Sequence, residues 1–140
     1  MQCDTCGMLI KKIHDAVGKH INNSLRENDL THTQVRVLME LGDDRADAMS
    51  MKELERRFNV AQSTIVGVVR RLEAKKLVRG FTAPGDNRVK LVSLTPEGED
   101  FRKKNMREIE EMEERLLSRL TEEDKQAFLR MLLTVYNNVK

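Results

Sequence analysis

The sequence predicts a mostly α-helical chain interrupted by one small β-hairpin, and three observations carry that reading. Apolar residues recur at three- and four-residue spacing over most of the 140 residues. Both prolines and two of the seven glycines gather in TAPGDNRVKLVSLTPEG, residues 82–98. On either side of its Pro-Gly-Asp turn, LVRGFTAPGDNRVKLVSLT is β-branched and alternating, the pattern of a hairpin. The length suits one domain, or one domain with arms, with a real core. No apolar run approaches the ~18 residues that span a bilayer, and the N-terminus lacks a signal-peptide core. The expected location is therefore the cytoplasm, with no membrane partner.

Taken in order, residues 8–27 read as a helix, with Leu9, Ile13, Val17, Ile21 and Leu25 every four residues and Ala16 and His20 beside them. LTHTQVRVLMEL starts a second helix, with Thr31 and Gln34 at capping-box spacing and Val35, Leu38 and Met39 inward. Gly42 ends it, and DDRAD is a polar loop. Ser50 and Glu53 repeat the capping box before a short helix carrying Met51, Leu54 and Phe58, with Asn59 as a left-handed terminator. A few residues later, Ile65, Val68, Val69 and Leu72 fall at i, i+3, i+4 and i+7, one buried face. Two helices joined by so short a turn cross steeply, as in a helix-turn-helix. After the hairpin, Thr95 caps a long charged helix with Pro96 at its first position and Phe101, Ile109, Met112, Leu116 and Leu120 as its stripe. Thr121 starts the last helix, striped by Phe128, Met131, Leu132, Val135 and Val139.

Charge is segregated along this framework. Residues 61–95 hold seven Lys/Arg against two Asp/Glu, a net of +5, whereas the net charge of the whole chain is only +2. A basic excess confined to a quarter of the chain points to a polyanionic partner. On a wheel of the second helix of the pair, Ser63, Gly67, Arg70 and Ala74 oppose the apolar face, flanked by Thr64 and Arg71 on one side and Val66 on the other. Gly67 inside a helix costs ~1 kcal/mol relative to Ala. Small residues let a backbone approach a groove wall, where Arg70 reaches a guanine edge and Arg71 a phosphate. An arginine pair alone reads as solvated charge; the helix-turn-helix spacing, the small stripe and the local +5 reverse that reading.

A hairpin directly after a helix-turn-helix is a wing, and its tip lies beside the DNA backbone, where a narrow minor groove attracts an arginine. Arg88 and Lys90 follow the turn. Asp86 either braces the Arg88 guanidinium or caps its own turn as an Asx motif. The candidate DNA-contacting set is Gln62, Ser63, Thr64, Gly67, Arg70, Arg71, Asp86, Arg88 and Lys90.

MSMKELERRFNVAQSTIVGVVRRLEAKKLV followed by DNRVKLVSLTPEG resembles the MarR family of bacterial winged-helix regulators, most specifically in the Asp-x-Arg of the wing and in LTPEG. The order of elements matches over nearly the whole chain. The resemblance implies a winged helix-turn-helix with N- and C-terminal dimerisation helices: residues 1–30 and 96–140 for dimerisation, 31–95 for DNA binding. It further implies a homodimer on pseudo-palindromic double-stranded DNA, and a repressor released by a small-molecule effector or by oxidation. Two positions depart from the family pattern. Lys76 stands where a glycine usually ends the recognition helix, so that terminus is expected to be irregular or its lysine drawn to phosphate. Ala61 replaces the usual Ser or Thr cap, so the helix start is expected to fray.

Catalysis finds little support, because His14, His20 and His32 lack a partnered nucleophile and no HExxH or phosphate loop occurs. His20 reads as packed or interfacial. The eight methionines read first as core, and second as the lining of a flexible ligand pocket. Cys3 and Cys6 form a two-thiol arm that is inert, a redox-switched disulfide, or half of a metal site completed across a dimer. No cofactor is expected. The competing function is a winged-helix module that contacts only proteins; it needs neither a wing arginine nor a basic recognition face, and this chain has both.

Overall fold

The computed structural model describes residues 4–42 and 48–140. Six helices and three short strands follow one another: α1 (Cys6–Glu27), α2 (His32–Leu41), β1 (Met49–Ser50), α3 (Met51–Phe58), α4 (Gln62–Ala74), β2 (Val78–Ala83), β3 (Asp86–Leu94), α5 (Pro96–Leu116) and α6 (Glu122–Val139). The chain divides into two compact units, Met1–Asn105 and Met106–Lys140, with the boundary inside α5.

The core belongs to the first unit. Its fully covered side chains include Leu38 of α2, Leu54 of α3, Ile65 and Leu72 of α4, and Val92 of β3. Each such burial contributes roughly 1.5–3 kcal/mol, so these contacts fix the angle between α3 and α4. The α4 face is the expected one: Ile65, Val68, Val69 and Leu72 are all buried. On α2 the expected phase needs correction. Leu38 is buried, but its companions are Val37, Leu41 and the polar Gln34, while Val35 and Met39 are only half-buried. The run VRVLMEL fits either phase, and a polar residue in the inward stripe hides the true one.

Local chemistry sets the helix ends. Thr31 and Gln34 make both halves of the capping box. Ser50 accepts from the Glu53 N–H at 3.1 Å, and its hydroxyl donates to Glu53 Oε1 at 3.3 Å. Asn59 terminates α3 in the left-handed region, φ 50°. Ala61 supplies no side-chain cap, yet α4 starts regularly, with the Thr64 and Ile65 N–H groups donating to the Ala61 carbonyl at 3.0 and 3.3 Å. The expected fraying is absent because these backbone bonds already close the first turn.

The other end of α4 is regular as well. Lys76 takes φ 61°, its N–H donates to the Glu73 carbonyl at 2.9 Å, and the Leu77 N–H donates to the Leu72 carbonyl at 3.0 Å. This bond pair is a Schellman motif built on lysine where glycine is usual. The Thr95 hydroxyl donates to the Lys76 carbonyl at 2.6 Å and accepts from the Gly98 N–H at 3.0 Å, tying the end of α4 to the start of α5. A non-glycine residue in this conformation is strained. Lys76→Gly is therefore expected to raise stability by up to ~1 kcal/mol, read as a higher midpoint in thermal unfolding.

β2 and β3 pair antiparallel, β1 adds to the far edge of β3, and the order is β1-β3-β2. The two residues of β1 were not foreseen, being too few to show a period. Pairing is regular from Val78↔Leu94 to Thr82↔Lys90 and then jumps to Ala83↔Asp86. Asn87, Arg88 and Val89 consequently stand out of the ladder.

In the second unit no residue is buried. α5 ends at Leu116, and Leu120, expected on its stripe, falls in the connection to α6 after Arg119 turns left-handed at φ 72°. Thr121 caps α6 as expected, accepting from the Asp124 N–H at 3.1 Å. The α6 stripe is exposed throughout, up to 79% at Val139. Methionine placement follows suit: among the seven described, only Met49 is buried. The core reading of the methionines is thus corrected, since most sit on α1, α5 and α6, whose apolar faces this chain leaves open. His20 is likewise exposed and not packed within the chain.

Candidate nucleic-acid interface

The candidate residues fall on two features of the first unit. Gln62, Ser63 and Thr64 open α4 and are exposed. One and two turns on, Gly67 is half-buried and Arg70 and Arg71 are exposed. A Cβ built on Gly67 meets nothing within 4 Å. The glycine is therefore not demanded by the chain's own packing. An outward stripe this shallow lets the α4 backbone come close to whatever it faces.

The second feature is the wing tip. Pro84 and Gly85 form its two-residue loop, and Gly85 takes φ 82°, the left-handed conformation that glycine adopts without steric cost. The bulge after the loop carries Arg88, whose side chain is 94% exposed. Asp86 performs both roles left open by its sequence position. Its Oδ1 accepts from the Arg88 backbone N–H at 3.0 Å, an Asx turn, and from Arg88 Nε at 3.4 Å, a brace on the guanidinium. One carboxylate thus shapes the bulge and limits the sweep of the arginine, leaving its terminal nitrogens in solvent. Lys90 is exposed at the base of the bulge. Asn87 and the apolar Val89 flank Arg88 and are also exposed. The sequence reading passed over both, because alternation alone does not reveal a three-residue bulge.

The MarR family model matches residues 28–88, which run from the end of α1 through α2, α3 and α4 to Arg88 of the wing. Over that stretch, which is most of the winged lobe, the chain is similar to the MarR family. Among known protein sequences, the chain is 27% identical over 94 residues to the uncharacterized HTH-type transcriptional regulator YdgJ of Bacillus subtilis (strain 168). That alignment spans 67% of this chain and 57% of the relative's length. Among solved structures, the S. aureus MepR–DNA complex matches with a TM-score of 0.83 at 23% identity, covering 96% of this chain and 99% of that one. The reduced form of MarR from E. coli matches with a TM-score of 0.71 at 23% identity, covering 96% and 98%. At such identities these structures establish the fold alone, a winged helix-turn-helix in a chain of six helices and three strands.

The two cysteines of the N-terminal arm stand differently. Cys3 lies outside the described residues, as does the DDRAD loop at 43–47. Cys6 is exposed and is the first residue of α1, not a residue before it, because Thr5 caps the helix by accepting from the Met8 N–H. Among the described residues, no three His, Cys, Asp or Glu side chains gather as metal ligands, and no helix is long and apolar enough to cross a membrane.

Proposed function

We propose that this protein is a homodimeric, sequence-specific DNA-binding transcriptional regulator of the cytoplasm, a repressor released by a small effector or by oxidation, and not an enzyme. The observation that carries the reading is the juxtaposition, on one compact unit, of an α4 face with no outward bulk at Gly67 and a wing whose arginine is braced by Asp86 yet free at its tip. The basic excess of residues 61–95 lies on these same elements. The names of the relatives support it, one being a transcriptional regulator and another a protein solved on DNA.

In this reading residues 31–95 form the DNA-binding lobe. Gln62, Ser63, Thr64 and Arg70 face base edges, Arg71 and Lys90 meet phosphate, and Arg88 enters the minor groove, with Asp86 positioning it. Residues 1–30 and 96–140 form the dimerisation region. Large apolar side chains are exposed on α1 (Leu9, Ile13, Ile21), on α5 (Ile109) and on α6 (Phe128, Met131), and a second copy would cover them. Two-fold symmetry then sets two recognition helices about one helical turn (~34 Å) apart, matching a pseudo-palindromic operator.

Substitution separates the two features. Arg70→Ala is expected to cost ~1–3 kcal/mol of binding and relax preference at one base position. Arg88→Ala is expected to weaken binding to all duplexes and flatten the salt dependence, since it meets backbone and groove potential. Affinities measured on an operator and a mismatched duplex at two salt concentrations check both. Unchanged affinity for Arg88→Ala at either salt contradicts the wing assignment.

A further inference from the structure

The helix before α4 carries three basic and two acidic residues, Lys52, Glu53, Glu55, Arg56 and Arg57, a net of only +1. The fold sorts these charges. Glu53 closes the Ser50 cap, its Oε1 accepting from the Ser50 hydroxyl at 3.3 Å. Glu55 is half-buried, and its Oε1 is sealed from solvent. Arg57 donates to Glu40 Oε2 of α2 at 2.7 Å. Lys52 and Arg56 remain, and both are exposed. A helix turns roughly 100° per residue, which places both within about 20° of the direction opposite the buried Leu54. Among the described residues neither makes an ion pair. The outward face of α3 is a bare pair of cations one turn apart.

Neither placement serves the fold. Lys52 is the second residue of α3, where a cation opposes the helix dipole, and like charges one turn apart repel. A local rule broken twice on one face points to a partner of negative charge. Continuity with α4 identifies that partner. α3 joins α4 through only Asn59, Val60 and Ala61, and the two helices pack together. α4 also packs on β2 of the wing. The reading helix therefore has cations on both neighbours, Arg88 on the wing and Lys52 with Arg56 on α3. When the second helix of such a pair enters the major groove, the first crosses the backbone at its edge.

We infer that Lys52 and Arg56 contact the DNA phosphate backbone beside the groove that α4 enters, adding two contacts per protomer to those of α4 and the wing. These contacts rest on the proposed DNA reading and extend its footprint to α3. Phosphate contacts carry no sequence information, so this pair sets affinity and register and not base preference.

The test titrates the full chain against two duplexes over a series of salt concentrations, one of mixed sequence and one selected by the chain from a random library. For the double variant Lys52→Gln, Arg56→Gln, the slope of log K against log salt is expected to fall by about 2 per protomer on both duplexes. The affinity ratio between the duplexes stays within about twofold of the parent's. The charge-conserving exchange Lys52→Arg, Arg56→Lys keeps the parent's slope. So does Lys103→Gln, Lys104→Gln, which removes the same charge from exposed positions of α5. Thermal unfolding checks the fold, and taking Lys52 off the positive end of the dipole is expected to leave the midpoint at or above the parent's. A lower midpoint would assign the pair to the fold instead. A parental slope in the double variant, or an equal drop in the α5 control, would overturn the inference. So would a changed ratio between the duplexes, because the pair would then read bases. A parent that binds DNA while α3 is silent leaves the regulator reading intact; a parent that binds neither duplex sinks both.

Discussion

Gly98→Ala is expected to destabilise the protein by ~3 kcal/mol or more, although it replaces a glycine inside a helix. A Cβ at this position would overlap the carbonyl oxygen of Leu77 and lie 3.2 Å from Leu94 Cδ2. The obstacle is backbone and cannot rotate aside. It is also pinned, since the Leu77 carbonyl accepts from the Thr95 N–H at 3.1 Å and the Thr95 hydroxyl holds the neighbouring Lys76 carbonyl. Relief would require the start of α5 to leave the end of α4, breaking the Thr95 bonds. Gly67→Ala is the natural contrast: nothing stands near its Cβ, so the same substitution is expected to gain ~1 kcal/mol. Thermal unfolding of both variants checks the pair, with a midpoint roughly 10 °C lower for Gly98→Ala and a few degrees higher for Gly67→Ala. Equal shifts would contradict the close approach at Gly98. If Gly67→Ala also weakens DNA binding, the glycine serves the groove.

Met131→Asp is expected to convert the proposed dimer to a monomer at micromolar concentration while each protomer keeps its fold. Met131 is 63% exposed in the protomer, so the substitution removes little packing there. In a two-fold assembly every change occurs twice. If the proposed interface covers Met131, losing two such side chains costs ~3–6 kcal/mol per dimer, before the added cost of burying two carboxylates. The dimer dissociation constant should therefore rise by at least ~10²-fold, and DNA affinity should fall with it although no reading residue is touched. Sedimentation, with circular dichroism as the control on folding, measures this. A variant that sediments like the parent would remove α6 from the interface.

How much of this was legible in the sequence depended on how local each feature is. The α4 face, the Asn59 terminator and the Thr31, Thr95 and Thr121 caps are written in spacings of three and four residues, and the structure follows them. The α2 phase is hidden in the sequence because Gln34, a polar residue, occupies an inward position. Lys76 shows why an apparent departure need not disturb geometry: two backbone bonds and a threonine hydroxyl hold it in a conformation that its side chain disfavours. Asp86 posed a choice between two hydrogen bonds, and one carboxylate oxygen makes both. The role of Gly98 was not legible at all. It depends on segments distant in sequence, Leu77 and Gly98, which meet only once the chain has folded.

In the proposed function, two copies of the α4-and-wing surface read DNA together. Selecting bound duplexes from a random-sequence library with the full chain tests it most directly, because it assumes neither an operator nor an effector. The expected result is enrichment of a pseudo-palindrome with half-sites about 10 base pairs apart, bound by two protomers at least ~10³-fold more tightly than unselected DNA. A selection that enriches no sequence, or a single half-site bound by one protomer, would contradict it.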